Sequence, residues 1–411
     1  MNKKMIPIVA LTGLLLTSCG TSAWSWENAT SDGALKYCLL IGQTDHNDSA
    51  ARTAGIRDAL KTRTSDKSLN PNTENPVEGK LKIGTKEFKT QELEHAEQKN
   101  TAGATWDSQT ATSTAETWIN KHGNDIDFFV SNNDGMAEGA IGATNWIEGM
   151  PIFGYDSNAS TLTKINEGKI MGTINQNASA QAAGIFMLTR NCLDGLATDK
   201  VYTEGFSIAS SKGYGKISSK YNFHADDKSM LVDNFAITKD NVASYLNKSS
   251  RDLVDANVTT GTTASKKVWM NYYSATDTFL NSNMKPLFAE YKSKFNFEVT
   301  EQAGDGNDEK SVKDVLATAE GYDAYVLNMV KTVNTKDYLD VIATKTGATS
   351  TNPTSTPVIF WNRQGTKADG TVDQANMKDA RFKYVYYVGF DANQGGQLQG
   401  KMIVDWLSAQ K

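Results

Sequence analysis

The residues with chemistry to offer gather around one stretch, Ile126 to Asp156, which reads IDFFVSNNDGMAEGAIGATNWIEGMPIFGYD. Ile126–Ser131 is an apolar run of strand length, and Asn132-Asn133-Asp134-Gly135 is a polar turn. Met136–Ile147 reads as a helix with a small, Gly/Ala-rich face, and Pro151–Tyr155 as a second strand ending on Asp156. In a parallel sheet the carboxyl ends of neighbouring strands share one edge, and ligands bind there. Asn133 and Asp156 are therefore expected to face one crevice; the alternative is that they only cap the helices that follow. A second pair is set by spacing. Arg52 follows Asp48 by one helical turn, so both can point at one spot near the start of helix Ser49–Leu60, the alternative being a loose surface ion pair.

The elements that must position these groups alternate along the chain. Tyr37–Ile41 (YCLLI) is a continuous apolar run, as in a buried parallel strand. Thr64–Lys86 carries Pro71 and Pro76 and reads as a surface insertion, and Glu92–Glu97 as a short strand. Trp106-Asp107 opens a helix to about Lys121, with Asp107 as its N-cap. Strand Ile170–Ile174 leads to the polar pair Gln176-Asn177 and helix Ala178–Leu193. Thr203–His224 reads as irregular, Met230–Ala236 as a strand and Asp240–Leu246 as a short helix. Ser249–Ser265 is small, polar and turn-rich, which marks a linker. The rhythm then restarts with strands Val268–Tyr273, Phe297–Glu301, Tyr322–Asn328, Pro357–Trp361 (ending on Asn362) and Tyr384–Gly389. Helices Phe279–Lys292 (kinked at Pro286), Asp308–Ala319, Lys336–Thr344 and Gln394–Ala409 alternate with them. Such alternation predicts an α/β protein with parallel sheets. The first strand has no helix before it and the last helix no strand after it, as if a βαβ unit had been cut.

At 411 residues the length predicts two domains or more. Lys3 and Lys4 precede an apolar segment, Ile6–Leu16, that is too short to span a bilayer, which is the pattern of a signal peptide. Leu16-Thr17-Ser18-Cys19 resembles a lipobox, predicting cleavage before a lipidated Cys19. Residues 1–18 are read as signal and 19–34 as a tether to the cytoplasmic membrane. The net charge of −5, with no basic cluster, argues against nucleic acid. Cys38 and Cys192 lie in apolar periodic segments and are expected as buried free thiols. Four histidines (46, 95, 122 and 224) without a CxxC make a structural zinc site unexpected.

VSNNDGMAEGA, PIFGYD, GTINQNASAQA, PVIFWN and YYVGFD resemble the periplasmic glucose/galactose-binding proteins of bacterial ABC importers. The order is rotated. Lys267–Lys411 resembles the family's amino-terminal part and Leu35–Asn247 the rest, so 249–265 would join the ancestral termini of a circularly permuted member. The resemblance implies two Rossmann-like lobes with parallel sheets joined by a three-strand hinge, the periplasmic binding protein type I fold. Lobe A would hold 35–174, 230–247 and 391–411, and lobe B 176–227 and 266–389. It implies a monomeric binding protein without catalytic residues or cofactor, which delivers D-glucose or D-galactose to an ABC permease.

Carried over position by position, the family's sugar site falls on His46, Asp48, Arg52, Trp106, Asn133, Asp156, Asp277, Phe279 and Asn362. Gln176 stands where the family has Asn. These residue types suit a pyranose. Carboxylates accept from hydroxyls, Asn does both, Arg donates in a fork, and Phe279 and Trp106 can stack on the two C–H faces. A chemoreceptor ligand would use the same site. A glycosidase would need two carboxylates, such as Asp48 and Asp277, and no acid is expected to have the raised pKa that acid catalysis requires. Relatives also carry a calcium loop, which here becomes Asn28–Lys36. Asp32 remains and Asp127 stands for the distant Glu, but Ala34 brings no oxygen and Lys36 brings an ammonium. No bound calcium is expected, with Lys36 pairing Asp127 instead.

Overall fold

The computed structural model describes residues 23–196, 198, 221–246, 264–306 and 309–410. The signal sequence, Cys19, most of the 203–224 stretch and nearly all of the 249–265 linker lie outside the described residues.

Strands come in chain order as β1 (Ala34–Ile41), β2 (Gly79–Ile83), β3 (Lys86–Glu97), β4 (Phe128–Ser131), β5 (Ile152–Phe153), β6 (Gly172–Asn175), β7 (Tyr221–His224), β8 (Ser229–Val232), β9 (Phe235–Thr238), β10 (Lys266–Tyr272), β11 (Phe297–Ala303), β12 (Ala324–Leu327), β13 (Val358–Trp361) and β14 (Val385–Phe390). Helices are α1 (Trp26–Ala29), α2 (Asn47–Leu60), α3 (Ser108–His122), α4 (Asp134–Ile141), α5 (Ala159–Asn166), α6 (Ala178–Leu193), α7 (Lys285–Lys294), α8 (Glu309–Thr318), α9 (Thr335–Thr346), α10 (Gln374–Met377) and α11 (Ala392–Ala409).

They form two seven-stranded sheets, ordered β2-β3-β1-β4-β5-β6-β9 and β11-β10-β12-β13-β14-β8-β7. Pairing is parallel except at β2, β9 and β7, which are antiparallel edges. The fold is thus α/β with two mostly parallel sheets, as the alternation predicts. Strand β1 shows why it is central. Tyr37, Leu39 and Ile41 enter the core on one face, while Cys38 and Leu40 enter the core on the other. Cys38 and Cys192 are free and buried.

The chain passes between the lobes at Gln176, where β6 leads into α6, at Asp233-Asn234, between β8 and β9 of different sheets, and at Asp391, where β14 leads into α11, which packs on α2. These crossings are stitched together. Asn234 Nδ2 donates to the Asp391 carbonyl at 2.7 Å, and its backbone N–H to Gln394 Oε1 at 2.7 Å. The last helix, α11, packs on α2 through glycines. A Cβ on Gly396 would lie 2.2 Å from the Ala51 carbonyl oxygen, so only a hydrogen fits. At the far end of α11, Trp406 packs on Trp24, with ring centroids 5.8 Å apart.

Several local readings are corrected. Met230–Ala236 is two strands in different sheets. β8 pairs with β14, so residues 230–232 sit with lobe B rather than lobe A. The segment read as the end of an insertion and a short strand is a hairpin. Leu81, Ile83, Phe88 and Thr90 point inward between exposed charges, a period-two pattern that the charges hid. The first helix after the NND turn stops at Ile141, before Gly142 and a run of turns. The 279–292 helix begins as a π turn, Leu280–Met284, and Pro286 follows directly in the first turn of α7. Asp240–Leu246 is a single 3₁₀ turn, Val242–Ser244. The tether region is docked from Trp24 onward, because Trp26 packs edge-on to Phe88 with centroids 5.9 Å apart.

Candidate functional site

Lobe A brings its groups to the carboxyl ends of β1, β4 and β5. His46 is the N-cap of α2, and its Nδ1 accepts from the Asp48 N–H at 3.1 Å. The proton is then on Nε2, which is buried and has no partner among the described residues. Burial, then the Arg363 and Arg52 charges, push the imidazole well below its usual pKa, so it is a neutral donor. Asp48 lies in the first turn of the same helix and is 5 % exposed. Burial raises its carboxyl to about 6, against the opposing pull of Arg52 and Arg363.

Arg52 is not a loose surface partner of Asp48. It is buried, stacks on Tyr155 at 3.7 Å, donates to the Asn132 carbonyl at 2.6 Å, and stands 3.6 Å from Asp156. Asn132 turns inward and accepts from Ser49 Oγ at 2.7 Å, tying the NND turn to α2. Asn133 satisfies both readings: it caps α4, accepting from the Met136 N–H at 2.8 Å, and it lines the cleft. Asp156 does not cap a helix, since Asn158 holds the N-cap position of α5. Its carboxylate accepts from Gln176 Nε2 at the first crossing, and burial, opposed by Arg52, pushes it well above the usual range. Trp106 sits edge-on to His46, with centroids 5.7 Å apart.

Lobe B faces this set from the ends of β10 and β13. Asp277 accepts from the Leu280 N–H at 2.8 Å and from the Tyr273 hydroxyl. Phe279 is buried beside it, and Asn362 directly follows β13 with a left-handed φ of 60°. All ten predicted residues line one cleft, together with two that the sequence reading missed, Tyr273 and Arg363. Arg363 is buried, stacks on Tyr273 at 3.5 Å and donates to the Val330 carbonyl. Tyr273 is expected only as the last residue of strand Val268–Tyr273. Arg363 directly follows Asn362 at a strand's carboxyl end, and that was the signal available.

The cleft as it stands is narrow, with a cavity volume of about 30 Å³, room for water but well below the ~300–1,000 Å³ usual for small-molecule sites, so a larger ligand requires its walls to part. Five buried polar atoms of its lining residues have no hydrogen-bond partner among the described residues: His46 Nε2, Arg52 Nε, Trp106 Nε1, Gln176 Oε1 and Arg363 Nε. An unmet buried donor or acceptor costs about 1–3 kcal/mol, so the cleft is chemically incomplete without a small, many-handed polar molecule.

Two further expectations change. The site does contain carboxyls with raised pKa, Asp48 and Asp156, because the lobes exclude water. And Lys36 does not pair with Asp127. Its ammonium lies 2.6 Å from Asp32 and 3.4 Å from Asp125, while Asp127 accepts from the Lys36 backbone N–H at 2.6 Å and is pushed up to about 8 by burial. Among the described residues no group of three or more His, Cys, Asp or Glu is placed to hold a metal ion.

Two lobes, three crossings and a closed polar cleft define the periplasmic binding protein fold of type I. Residues 15–197 and 265–335 match two family models, each described as a periplasmic binding protein domain; these families are binding proteins, not enzymes. The D-galactose/methyl-galactoside binding periplasmic protein MglB of Haemophilus influenzae is 30 % identical over 176 residues, 42 % of this chain and 43 % of that protein. The match thus spans less than half of either. Among solved structures, a carbohydrate transporter solute binding protein from Agrobacterium radiobacter in complex with D-arabinose is 12 % identical, with a TM-score of 0.46 over 92 % of this chain and 89 % of that one. A carbohydrate transporter from Acidothermus cellulolyticus in complex with myo-inositol is 9 % identical, with a TM-score of 0.48 over 92 % and 88 %.

Proposed function

We propose that this protein captures a single hexose, D-glucose or D-galactose, between its lobes and delivers it to an ABC permease, held at the periplasmic face of the cytoplasmic membrane by a lipid on Cys19. The observation that carries this reading is the convergence of three acidic side chains, two arginines, a neutral His and three aromatic rings (Trp106, Tyr273 and Phe279) on one small cleft with unmet hydrogen-bonding atoms. A pyranose offers vicinal hydroxyls that both donate and accept, and two C–H faces. Acceptors at Asp48, Asp156 and Asp277 alternate with donors at His46, Arg52 and Arg363, while Trp106 and Phe279 supply apolar surfaces. The galactose named for the Haemophilus relative is consistent with this set.

Circular permutation belongs to the same proposal. With the antiparallel edge strand β2 set aside, each sheet begins second-first-third-fourth-fifth if the chain is entered at β10 and continued from α11 into β1. The Trp24–Trp406 contact brings together the points that such a continuation would join. Calorimetry against a panel of hexoses, after removal of co-purified sugar, tests the ligand. Saturable binding of D-glucose or D-galactose, with the other hexoses weaker, is expected. Turnover of nitrophenyl glycosides by the purified protein would overturn the binding-protein reading.

A further inference from the structure

We propose that Asn283 is an interlobe latch, a positioning residue that holds the closed form and, through it, the geometry of Asp156. The inference rests on the proposal that the lobes close around ligand. The turn Asp156-Ser157-Asn158 of lobe A is strained, with φ of 117° at Asp156 and 57° at Ser157; non-glycine residues rarely adopt such values unless their surroundings impose them. Within lobe A the turn is tied by Ser157 N–H to Thr173 Oγ1 at 3.1 Å, by Asn175 Nδ2 to Ser157 Oγ at 2.7 Å, and by Asn158 N–H to Asp134 Oδ2 at 2.8 Å.

The Asp156 N–H also donates to the Ile174 carbonyl at 2.8 Å and Ser157 Oγ to the Asp156 carbonyl at 2.6 Å; a further tie comes from the other lobe. Asn283 Nδ2 donates to Asn158 Oδ1 at 2.8 Å and reaches the Asp156 carbonyl oxygen at 3.4 Å. Asn158 holds the N-cap position of α5, but its side chain makes no capping bond there, which leaves its oxygen to Asn283. The π turn Leu280–Met284 presents Asn283 on the segment that also carries Asp277 and Phe279 into the cleft. Beside the latch the lobes meet at close range. A Cβ on Gly135 would lie 2.9 Å from Thr278 Oγ1. When the lobes swing apart, Asn283 and Asn158 are rehydrated separately while each keeps its place in its own lobe. Their bond therefore counts only toward the closed state and acts on ligand release, not on capture.

The test uses the full chain as wild type, Asn283→Ala, Asn158→Ala and the double variant. Tryptophan fluorescence in stopped flow follows D-glucose and D-galactose. Each single variant is expected to release sugar about three- to tenfold faster, the span of one net hydrogen bond, with the association rate within about twofold. The double variant is expected to be no worse than either single one, since both remove the same bond. Two partners from opposite lobes allow one variant to report if the other misfolds. Unchanged release, or effects that multiply in the double variant, would overturn the latch. If wild type binds no hexose, the sugar reading fails. The latch is then read without ligand by small-angle scattering, where Asn283→Ala should increase the radius of gyration; superimposable curves would overturn it.

Discussion

Replacing Asp48 by Asn should weaken sugar binding and at the same time stabilise the empty protein. The carboxylate is almost fully buried in the first turn of α2, and no hydrogen bond to a protein group is found for it among the described residues. Its environment holds the acid at about 6 against an ordinary 3.8, with burial as the main cause. Keeping that anion in the closed, empty cleft therefore costs ~3 kcal/mol at neutral pH. Asn removes the charge but leaves an amide without partners, so a net gain of about 1–2 kcal/mol is expected.

The ligand reverses the sign. A hydroxyl bonded to a carboxylate contributes about 1.5–3 kcal/mol and one bonded to an amide about 0.5–1.5, so the variant should lose ~1–1.5 kcal/mol, roughly five- to tenfold in Kd. The pH dependence has its own sign. The folded protein takes up this proton near pH 6 and the unfolded chain only near 3.8. On this group's account, stability of the empty protein rises as pH falls from about 7 to about 4, and the variant should lack that rise. Calorimetry and denaturant titrations at pH 7.5 and 5.5 on both proteins read all three quantities. An Asp48→Asn protein that binds as tightly as wild type, or whose empty form is less stable at pH 7.5, refutes the reasoning.

Trp106→Ala and Phe279→Ala should each weaken hexose binding by about 1–3 kcal/mol, the worth of one large apolar face; unchanged affinity in both by calorimetry rejects the sandwich. Arg57→Ala should cost about 3–5 kcal/mol of stability in denaturant titrations, because Arg57 is buried on Glu92, beside Glu74, under the β2–β3 hairpin. Neither melting temperature nor sugar affinity should respond to EGTA, since Lys36 occupies the loop with its ammonium on Asp32; a several-degree loss restored by calcium would contradict this. Cys19→Ala should leave the protein in the aqueous phase of a detergent partition or uncleaved, and a processed, membrane-bound variant would count against the anchor.

The α/β class was legible because buried parallel strands leave a crude mark. YCLLI and PVIFW are apolar without alternation, since both faces are covered. What failed was read by the wrong period or at too coarse a grain. The β2–β3 hairpin alternates charged and apolar residues on a half-exposed edge, and its lysines and glutamates outweigh the inward Leu81, Ile83 and Phe88 in any reading that looks for apolar runs. The 230–236 run is a continuous apolar signal interrupted only by Asp233-Asn234. Two polar residues suffice to carry a chain from one sheet to another, and the local sequence of a crossing differs little from that of a turn.

The site was more legible than the elements that carry it, for a physical reason. Groups at the carboxyl ends of parallel strands converge whatever the lengths of the helices between them, so errors of several residues in α4 or α7 left Asn133, Asp156 and Asp277 at the same edge. Pairing was harder to read than placement. The i,i+4 spacing of Asp48 and Arg52 suggested a partner within one helix, but the guanidinium lies between Tyr155 and Asp156 on another strand–turn unit. The same arrangement recurs in the opposite lobe, where Arg363 lies on Tyr273 and the Tyr273 hydroxyl reaches Asp277. Each lobe thus fixes one arginine by stacking it on a tyrosine, which locks a flexible side chain before ligand arrives and lowers the entropy lost on binding. Such pairs join residues about a hundred positions apart, and no local spacing announces them. A buried Arg at a strand's carboxyl end, one residue after an Asn, marks where to look, and the stacking partner follows from the fold.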